Sequence, residues 1–235
     1  MERKRITQLF PFLLPIRRIQ RKIIFYAKMY FDRNRYAKTK ASEFLTFCIY
    51  EAKSKLINEN TGFDMKYQEN KVFNLRLAAE PVNKLLIRPQ ETFSFWQCVR
   101  CAEKNERYKD GLCVVNGELV PVPGGGLCHL SNLLLWLFMH TPLTIVEQHP
   151  HQVKYFPSPS GDELDGVDAA VSEGWLDLKV KNNTNLTFQI EIYIDGTYIN
   201  GRIFMEQDKE YFNEVINRER SFFKKKVMRK HCRDY

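Results

Sequence analysis

One segment of this chain carries most of the information about its fold. It reads PGGGLCHLSNLLLWLFM and runs from Pro123 to Met139. The residues from Leu130 onward are apolar on nearly every side, so the helix that they predict has to be buried. Three glycines lead into the first turn of this helix, where Cys128 stands at the positive end of the helix dipole. The run His140-Thr141-Pro142 ends the helix, because proline cannot continue it.

Glycines followed by a cysteine at the start of a helix are typical of a site that holds an anion or an oxyanion. Glycine lets the backbone approach a ligand closely and leaves N–H groups uncovered, and the helix dipole favours a thiolate. We predict Cys128 as a candidate nucleophile, with packing of a small apolar side chain as the alternative. The predicted binding or oxyanion residues around it are Gly124, Gly125, Gly126, His129, Ser131 and His149.

A cysteine nucleophile needs a base, and imidazole is the usual one. A strand-like segment follows the buried helix and returns the chain toward the start of that helix, so we predict His151 as the base. His149 is the alternative base. It precedes a proline, which restricts it to an extended conformation, so the two rings point in different directions and one of them is expected to face the cysteine. Asp177 interrupts an apolar strand and is predicted to orient the imidazole. The alternatives for that third position are Asn182 and Asn183.

The segments on either side of the central helix alternate between strand and turn signals. Strands are predicted at 92–95, 143–147 and 176–181, and hairpins at 112–122 and 187–204 with Asn-Gly and Asp-Gly turns. Helices are predicted at 16–30, 41–57 and 75–84, and residues 58–70 are predicted to form a loop. This order predicts an α+β fold with a largely antiparallel sheet and a buried central helix, plus N-terminal and C-terminal helical appendages.

The charge of the chain is unevenly distributed. The 235 residues have a formal net charge of +8, but residues 1–40 alone hold twelve basic and two acidic residues. The rest of the chain is therefore slightly acidic, which excludes a broad cationic face and predicts no nucleic-acid partner. The predicted divisions are a basic amphipathic helical region at 1–57, an α+β domain at 58–204 and a charged C-terminal helix at 205–235.

The helix predicted at 16–30 is amphipathic, with arginine and lysine on the faces beside its apolar stripe. It either rests on an anionic membrane surface or packs on its own domain. No run reaches the roughly 18 apolar residues of a membrane-spanning helix, and no cleavage site follows the apolar residues 6–16. Six cysteines are too few for a disulfide scaffold. We expect a cytoplasmic protein that is peripheral to the membrane if the helix binds there.

No cofactor and no metal site are predicted. Cys98 and Cys101 have the spacing of half a zinc site, and Cys113 follows them. A second pair of ligands at zinc-binding spacing is missing. The acidic loop after Gly161 does not have the spacing of a calcium-binding loop, and it is interpreted as a solvated loop.

Several motifs resemble the VanW family, which is named for an accessory protein of type-B vancomycin resistance clusters. The resemblance runs from Pro89 to Phe204. It rests on Glu91-Thr92-Phe93-Ser94-Phe95, the glycine triplet with Cys128 and Ser131, Val146-Glu147 leading to His151, and Asp177-Leu178 followed by Asn182 and Thr184. Two positions depart from the family pattern, since His129 stands where Gln is usual and Gln152 where Ser is frequent. The resemblance implies a cell-envelope context of glycopeptide resistance and brings no assigned reaction.

Two classes of function follow from the predicted site. The first is a cysteine-dependent acyl-transfer enzyme of the amidase, peptidase or transpeptidase type, with Cys128, His151 and Asp177 as its catalytic residues. The second is a binding module that captures an anionic peptide or a cell-wall precursor at the same helix N-terminus without chemistry.

Overall fold

A computed structural model describes residues 11–115, 117–151 and 161–206 of the protein. The helices in these ranges are α1 (Leu14–Phe31), α2 (Lys66–Val82), α3 (Phe95–Val99) and α4 (Cys128–Met139), with short 3-10 turns at Pro11–Leu13 and Ala102–Lys104. The strands are β1 (Arg35–Tyr36), β2 (Phe47–Lys55), β3 (Leu86–Ile87), β4 (Glu91–Ser94), β5 (Asp110–Val115), β6 (Glu118–Pro123), β7 (Thr144–Glu147), β8 (Lys179–Lys181), β9 (Phe188–Ile194) and β10 (Tyr198–Met205). The predicted C-terminal helix lies outside the described residues, apart from its first two positions.

The strands form two four-stranded sheets and a separate hairpin. The first sheet has the order β1-β4-β8-β7, the second has the order β2-β10-β9-β3, and β5 pairs with β6 alone. Every pairing between these strands is antiparallel except that of β1 with β4. The predicted α+β class and the largely antiparallel pairing are therefore confirmed, and so are both predicted hairpins.

Helix α4 lies between the two sheets. Leu133 and Leu137 pack where Gly201 of β10 leaves space, since a Cβ on Gly201 would come within 3.3 and 2.5 Å of these side chains. On the other side, the ring centroids of Phe138 and Phe93 of β4 are 5.1 Å apart. Each of these large apolar side chains is fully buried and contributes about 1.5–3 kcal/mol of transfer free energy. The first turn of α4 is thus held at a fixed place beside both sheets.

Two predictions about the N-terminal half are wrong. The helix predicted at 41–57 is absent, because residues 47–55 form β2 and pair with β10 along their length. Ala52 and Ser54 point into the protein and Lys53 points out, which is the alternation of a strand. The predicted loop at 58–70 ends early, since α2 begins at Lys66.

Helix α1 confirms the amphipathic helix predicted at 16–30, and Pro15 lies in its first turn. One face of α1 packs on the body of the protein through Met29, which is buried. No helix in the described ranges combines the length and the apolar character that crossing a bilayer requires.

Candidate functional site

Cys128 is the first residue of α4, and its half-buried sulfur lies at the junction of three segments. Its Sγ is 3.8 Å from the carbonyl oxygen of Val171. The side chain of His151, which comes from the loop after β7, lies close enough to interact with it. The structure therefore brings together the cysteine and the histidine that the sequence analysis paired.

His151 is held between the cysteine and a carboxylate. The hydrogen bond to Cys128 raises the pKa of His151 to about 9, and the charge of Asp168 acts in the same direction against the effect of burial. One oxygen of Asp168 contacts Nδ1 of the ring, and the other accepts the backbone N–H of His151 at 2.7 Å. Nδ1 therefore carries a proton, which leaves Nε2 for the sulfur.

The third residue of the group is Asp168, so the assignment of that role to Asp177 is wrong. Asp177 is fully buried and accepts hydrogen bonds from the Ser94 hydroxyl at 2.6 Å and from the backbone N–H of Trp96 at 3.2 Å. Burial raises the pKa of Asp177 to about 6. Among the described residues, none of its hydrogen-bond partners is His151. Asp177 instead fastens β4 and the start of α3 to the strand segment in which it lies.

Three other residues considered for this group make structural hydrogen bonds. Asn182 donates to two backbone carbonyl groups, and Asn183 donates to the hydroxyl of Thr144 at 3.0 Å. Nε2 of His149 lies 3.0 Å from a carboxylate oxygen of Glu147. This carboxylate, and not the cysteine, is therefore the described side-chain partner of His149, whose binding role stays a prediction.

The segment that carries Asp168 is fixed directly to α4. Ser131 is fully buried and donates its hydroxyl hydrogen to the carbonyl oxygen of Ala169 at 2.5 Å. The side-chain oxygen of Asn132 accepts the N–H of Ala169 at 2.7 Å. The side chain of Gln148 donates to the carbonyl oxygen of Asp168 at 2.6 Å. The predicted binding role of Ser131 is therefore corrected, since it positions Asp168 and faces no open space.

His129 fixes the start of the same loop. Its Nε2 lies 2.7 Å from the hydroxyl oxygen of Ser54, and that hydroxyl donates to Asp162, also at 2.7 Å. Burial lowers the pKa of His129 to about 3, and the charge of Lys71 adds to this effect. His129 is therefore neutral and fully used as a structural donor, which corrects its predicted role in binding an anion.

Two of the three glycines use their N–H groups in backbone hydrogen bonds, and the third glycine, Gly126, does not do so among the described residues. The N–H groups of Gly124 and Gly125 donate to nearby backbone carbonyls at 3.1 and 3.0 Å, so they are not the predicted oxyanion donors. Within the described part of the chain, the N–H groups of Gly126, Leu127 and Cys128 have no acceptor at hydrogen-bonding geometry. These three groups are the unused donors at the start of α4.

Lys71 of α2 passes its side chain over the start of α4. Its side chain covers Gly126, since a Cβ on that glycine would lie 2.9 Å from Cδ of Lys71. Burial lowers the pKa of Lys71 to about 8, and the charge of Asp162 opposes this effect. No carboxylate among the described residues forms an ion pair with its ammonium group. At neutral pH, Lys71 therefore adds positive charge to the start of α4.

The sequence analysis missed Asp168 and Lys71 as members of the site. Asp168 interrupts the apolar run Val167 to Val171, which is the same signal that pointed to Asp177. That signal could have placed Asp168 among the candidates. Lys71 stands on a helix face with no distinguishing pattern, and only the fold brings it to Gly126.

Within the described ranges, no group of three or more His, Cys, Asp or Glu side chains is arranged to hold a metal ion. The cysteines described there are free thiols, and they are Cys48, Cys98, Cys101, Cys113 and Cys128. The chemistry available at the site is therefore that of a thiol, an imidazole, a carboxylate and an ammonium group.

Comparison with known proteins gives a consistent set of relatives. Residues 70–204 match a family model described as VanW like protein. The chain is 54% identical over 217 residues to the vancomycin B-type resistance protein VanW of Enterococcus faecalis, and the match covers 92% of this chain and 79% of that protein. It is 35% identical over 114 residues to the uncharacterized protein YoaR of Bacillus subtilis, covering 48% of this chain and 35% of that protein. No solved structure matches.

Proposed function

Because this chain belongs to the VanW family, we propose that it acts in vancomycin resistance at the cell envelope as a cysteine-dependent acyl-transfer catalyst of the amidase, peptidase or transpeptidase type. The observation that carries the proposal is the contact of Cys128 with His151, which Asp168 holds on its other side. A cysteine, a base and a residue that orients the base form the arrangement that nucleophilic acyl transfer requires.

The proposed reaction begins when the thiol of Cys128 gives its proton to Nε2 of His151, so that a thiolate forms beside an imidazolium. The thiolate attacks the carbonyl carbon of an amide and forms a carbon–sulfur bond. His151 gives its Nε2 proton to the leaving amine as the carbon–nitrogen bond breaks. The thioester then passes its acyl group to water or to a second amine, whose proton returns to His151.

The unused donors at the start of α4 support the stabilisation of an oxyanion. The N–H groups of Leu127 and Cys128 lie next to the attacking sulfur along the chain and have no acceptor among the described residues. Such donors stabilise the negative charge of a tetrahedral intermediate and are worth several kcal/mol in other acyl-transfer enzymes. In this proposal the oxyanion donors are the N–H groups of Leu127 and Cys128, because those of Gly124 and Gly125 already have acceptors.

A second candidate function is the capture of an anionic peptide or a cell-wall precursor without chemistry. The charge that Lys71 exerts on His129, one residue after Cys128, favours it, because an ammonium group and free backbone N–H groups together suit a carboxylate. In this function Cys128 is a small side chain that fits the site.

Acylation by an activated ester separates the two functions without knowledge of the natural substrate. We expect p-nitrophenyl acetate to acetylate Cys128 and to release a rapid burst of nitrophenolate that approaches one equivalent per chain. Intact-mass spectrometry should show the acetyl group, and peptide mapping should place it on Cys128. Cys128→Ala should lose both the burst and the adduct, because the nucleophile is gone.

Cys101→Ala is the matched control, since Cys101 is an exposed thiol outside the proposed catalytic group. It should keep the full burst. A burst that survives in Cys128→Ala would contradict the acyl-transfer function. Saturable binding of an N-acetylated dipeptide carboxylate by both proteins, with no acylation of either, would favour the binding module instead.

A further inference from the structure

We propose that α1 holds this protein on the surface of an anionic phospholipid bilayer. One face of the helix packs on the body of the protein, and a second, exposed face enters the headgroup region of the lipid. The inference does not depend on the chemistry at Cys128.

The packed face of α1 is well anchored. Met29 is buried, and Phe25 packs against the hydrophobic core. The hydroxyl of Tyr26 donates to the carboxylate of Glu173 at 3.0 Å, and Lys22 forms an ion pair with the same carboxylate. The helix is therefore a fixed part of the fold, and its remaining face has a defined direction.

A second face of α1, about a third of a turn from the packed face, carries a stripe of uncovered apolar side chains. Ile16, Ile19 and Ile23 are 63%, 60% and 63% exposed, and Tyr30 is 83% exposed. Their spacings of three, four and seven residues place all four on one side of a helix. Soluble proteins rarely leave such a contiguous apolar stripe in water, and its presence marks an interaction surface.

The charges of α1 identify the partner. Residues 14–31 contain five basic residues and no acidic residue. Two of them, Arg21 and Lys22, contact the body of the protein. Arg18 and Lys28 form no ion pair with any described residue. The basic residues lie on the helix faces away from this stripe, as in helices that bury an apolar face in lipid and keep their cations at the level of negatively charged headgroups. A nucleic acid would use the charges but would leave the isoleucines in water.

The packing of α1 also relates the bilayer to the candidate site. The helix rests on the segment from Glu173 to Trp175, where the backbone of Lys22 would lie 3.2 Å from a Cβ on Gly174. The same segment begins just after Val171, whose carbonyl oxygen faces the sulfur of Cys128. A helix bound to lipid would therefore keep the site close to the membrane surface.

Co-sedimentation of the full chain with vesicles tests this proposal. The wild-type protein should sediment with phosphatidylcholine vesicles that contain phosphatidylglycerol, and weakly with phosphatidylcholine alone. The double variant Ile19→Glu/Ile23→Glu should lose at least about tenfold in affinity for the anionic vesicles, since it puts charges into the apolar face. High salt should weaken the binding of the wild-type protein.

Val114→Glu is the matched control, because it places a glutamate at an exposed apolar position of the body. It should bind like the wild-type protein, and an unchanged midpoint of thermal unfolding should show that the double variant is folded. Equal binding of the double variant and the wild-type protein to anionic vesicles would overturn the proposal. A lipid-free dimer that the double substitution dissociates would also overturn it, by assigning the stripe to a second copy of the chain.

Discussion

Asp168→Asn should slow the alkylation of Cys128 by iodoacetamide at pH 6 by at least about tenfold. The carboxylate of Asp168 contacts Nδ1 of His151 and accepts its backbone N–H at 2.7 Å. An asparagine keeps one oxygen for the backbone N–H but loses the charge that stabilises the imidazolium. The thiolate at Cys128 then loses its cationic partner, so the fraction that reacts at pH 6 falls.

Asp177→Asn is the matched control for this experiment. Asp177 is fully buried and binds Ser94 and the backbone of Trp96, away from the imidazole. The alkylation rate of Cys128 should therefore stay within about twofold of the wild-type rate, whatever the effect of the substitution on stability. Site-resolved mass spectrometry of the folded variants measures both rates. An equal loss of rate in the two variants would contradict the assignment of Asp168.

Gly125→Ala should destabilise the fold by at least about 3 kcal/mol. A Cβ on Gly125 would overlap the carbonyl group of Gly111 and lie 2.8 Å from its Cα. Gly111 cannot move aside easily, because it pairs with Val122 in the hairpin. The side chain of Asn74 also donates to the carbonyl oxygen of Gly125 at 3.1 Å. Urea unfolding followed by tryptophan fluorescence measures the loss.

Gly166→Ala is the comparison for this effect. Gly166 has a φ of +83°, and a Cβ there would meet no atom within 4 Å. Its substitution should cost only about 1 kcal/mol, which is the strain of a left-handed alanine. Equal stability of Gly125→Ala and Gly166→Ala would contradict this explanation. It would mean that the close approach of the hairpin does not require a glycine at position 125.

The parts of the fold that follow local patterns could be predicted from the sequence. The apolar run of α4, the Asn-Gly and Asp-Gly hairpins and the spacing of α1 each specify their own structure. Strand β2 could not be predicted, because Phe44, Phe47, Cys48 and Ala52 also fit the spacing of a helix. This segment is a strand because it pairs with β10, which lies about 150 residues further along the chain.

Only the residues of the candidate site that are marked by a local sequence pattern could be predicted. Cys128 and His151 stand out because a glycine triplet and a returning strand mark them. Asp168 and Asp177 both interrupt apolar runs. The hydrogen bonds that Ala169 makes with Ser131 and Asn132 decide which of the two carboxylates reaches the imidazole. These bonds join segments that are far apart in sequence, so no local pattern reveals them.

The reactivity of Cys128 in the wild-type protein is the most direct test of this account. At pH 6 an ordinary thiol is less than about 1% thiolate, so Cys128 beside an imidazolium should react with iodoacetamide about a hundredfold faster than the exposed Cys101. The advantage should shrink as the pH rises toward 9, because His151 then loses its proton. Equal rates for Cys128 and Cys101 at pH 6 would contradict the proposed nucleophile.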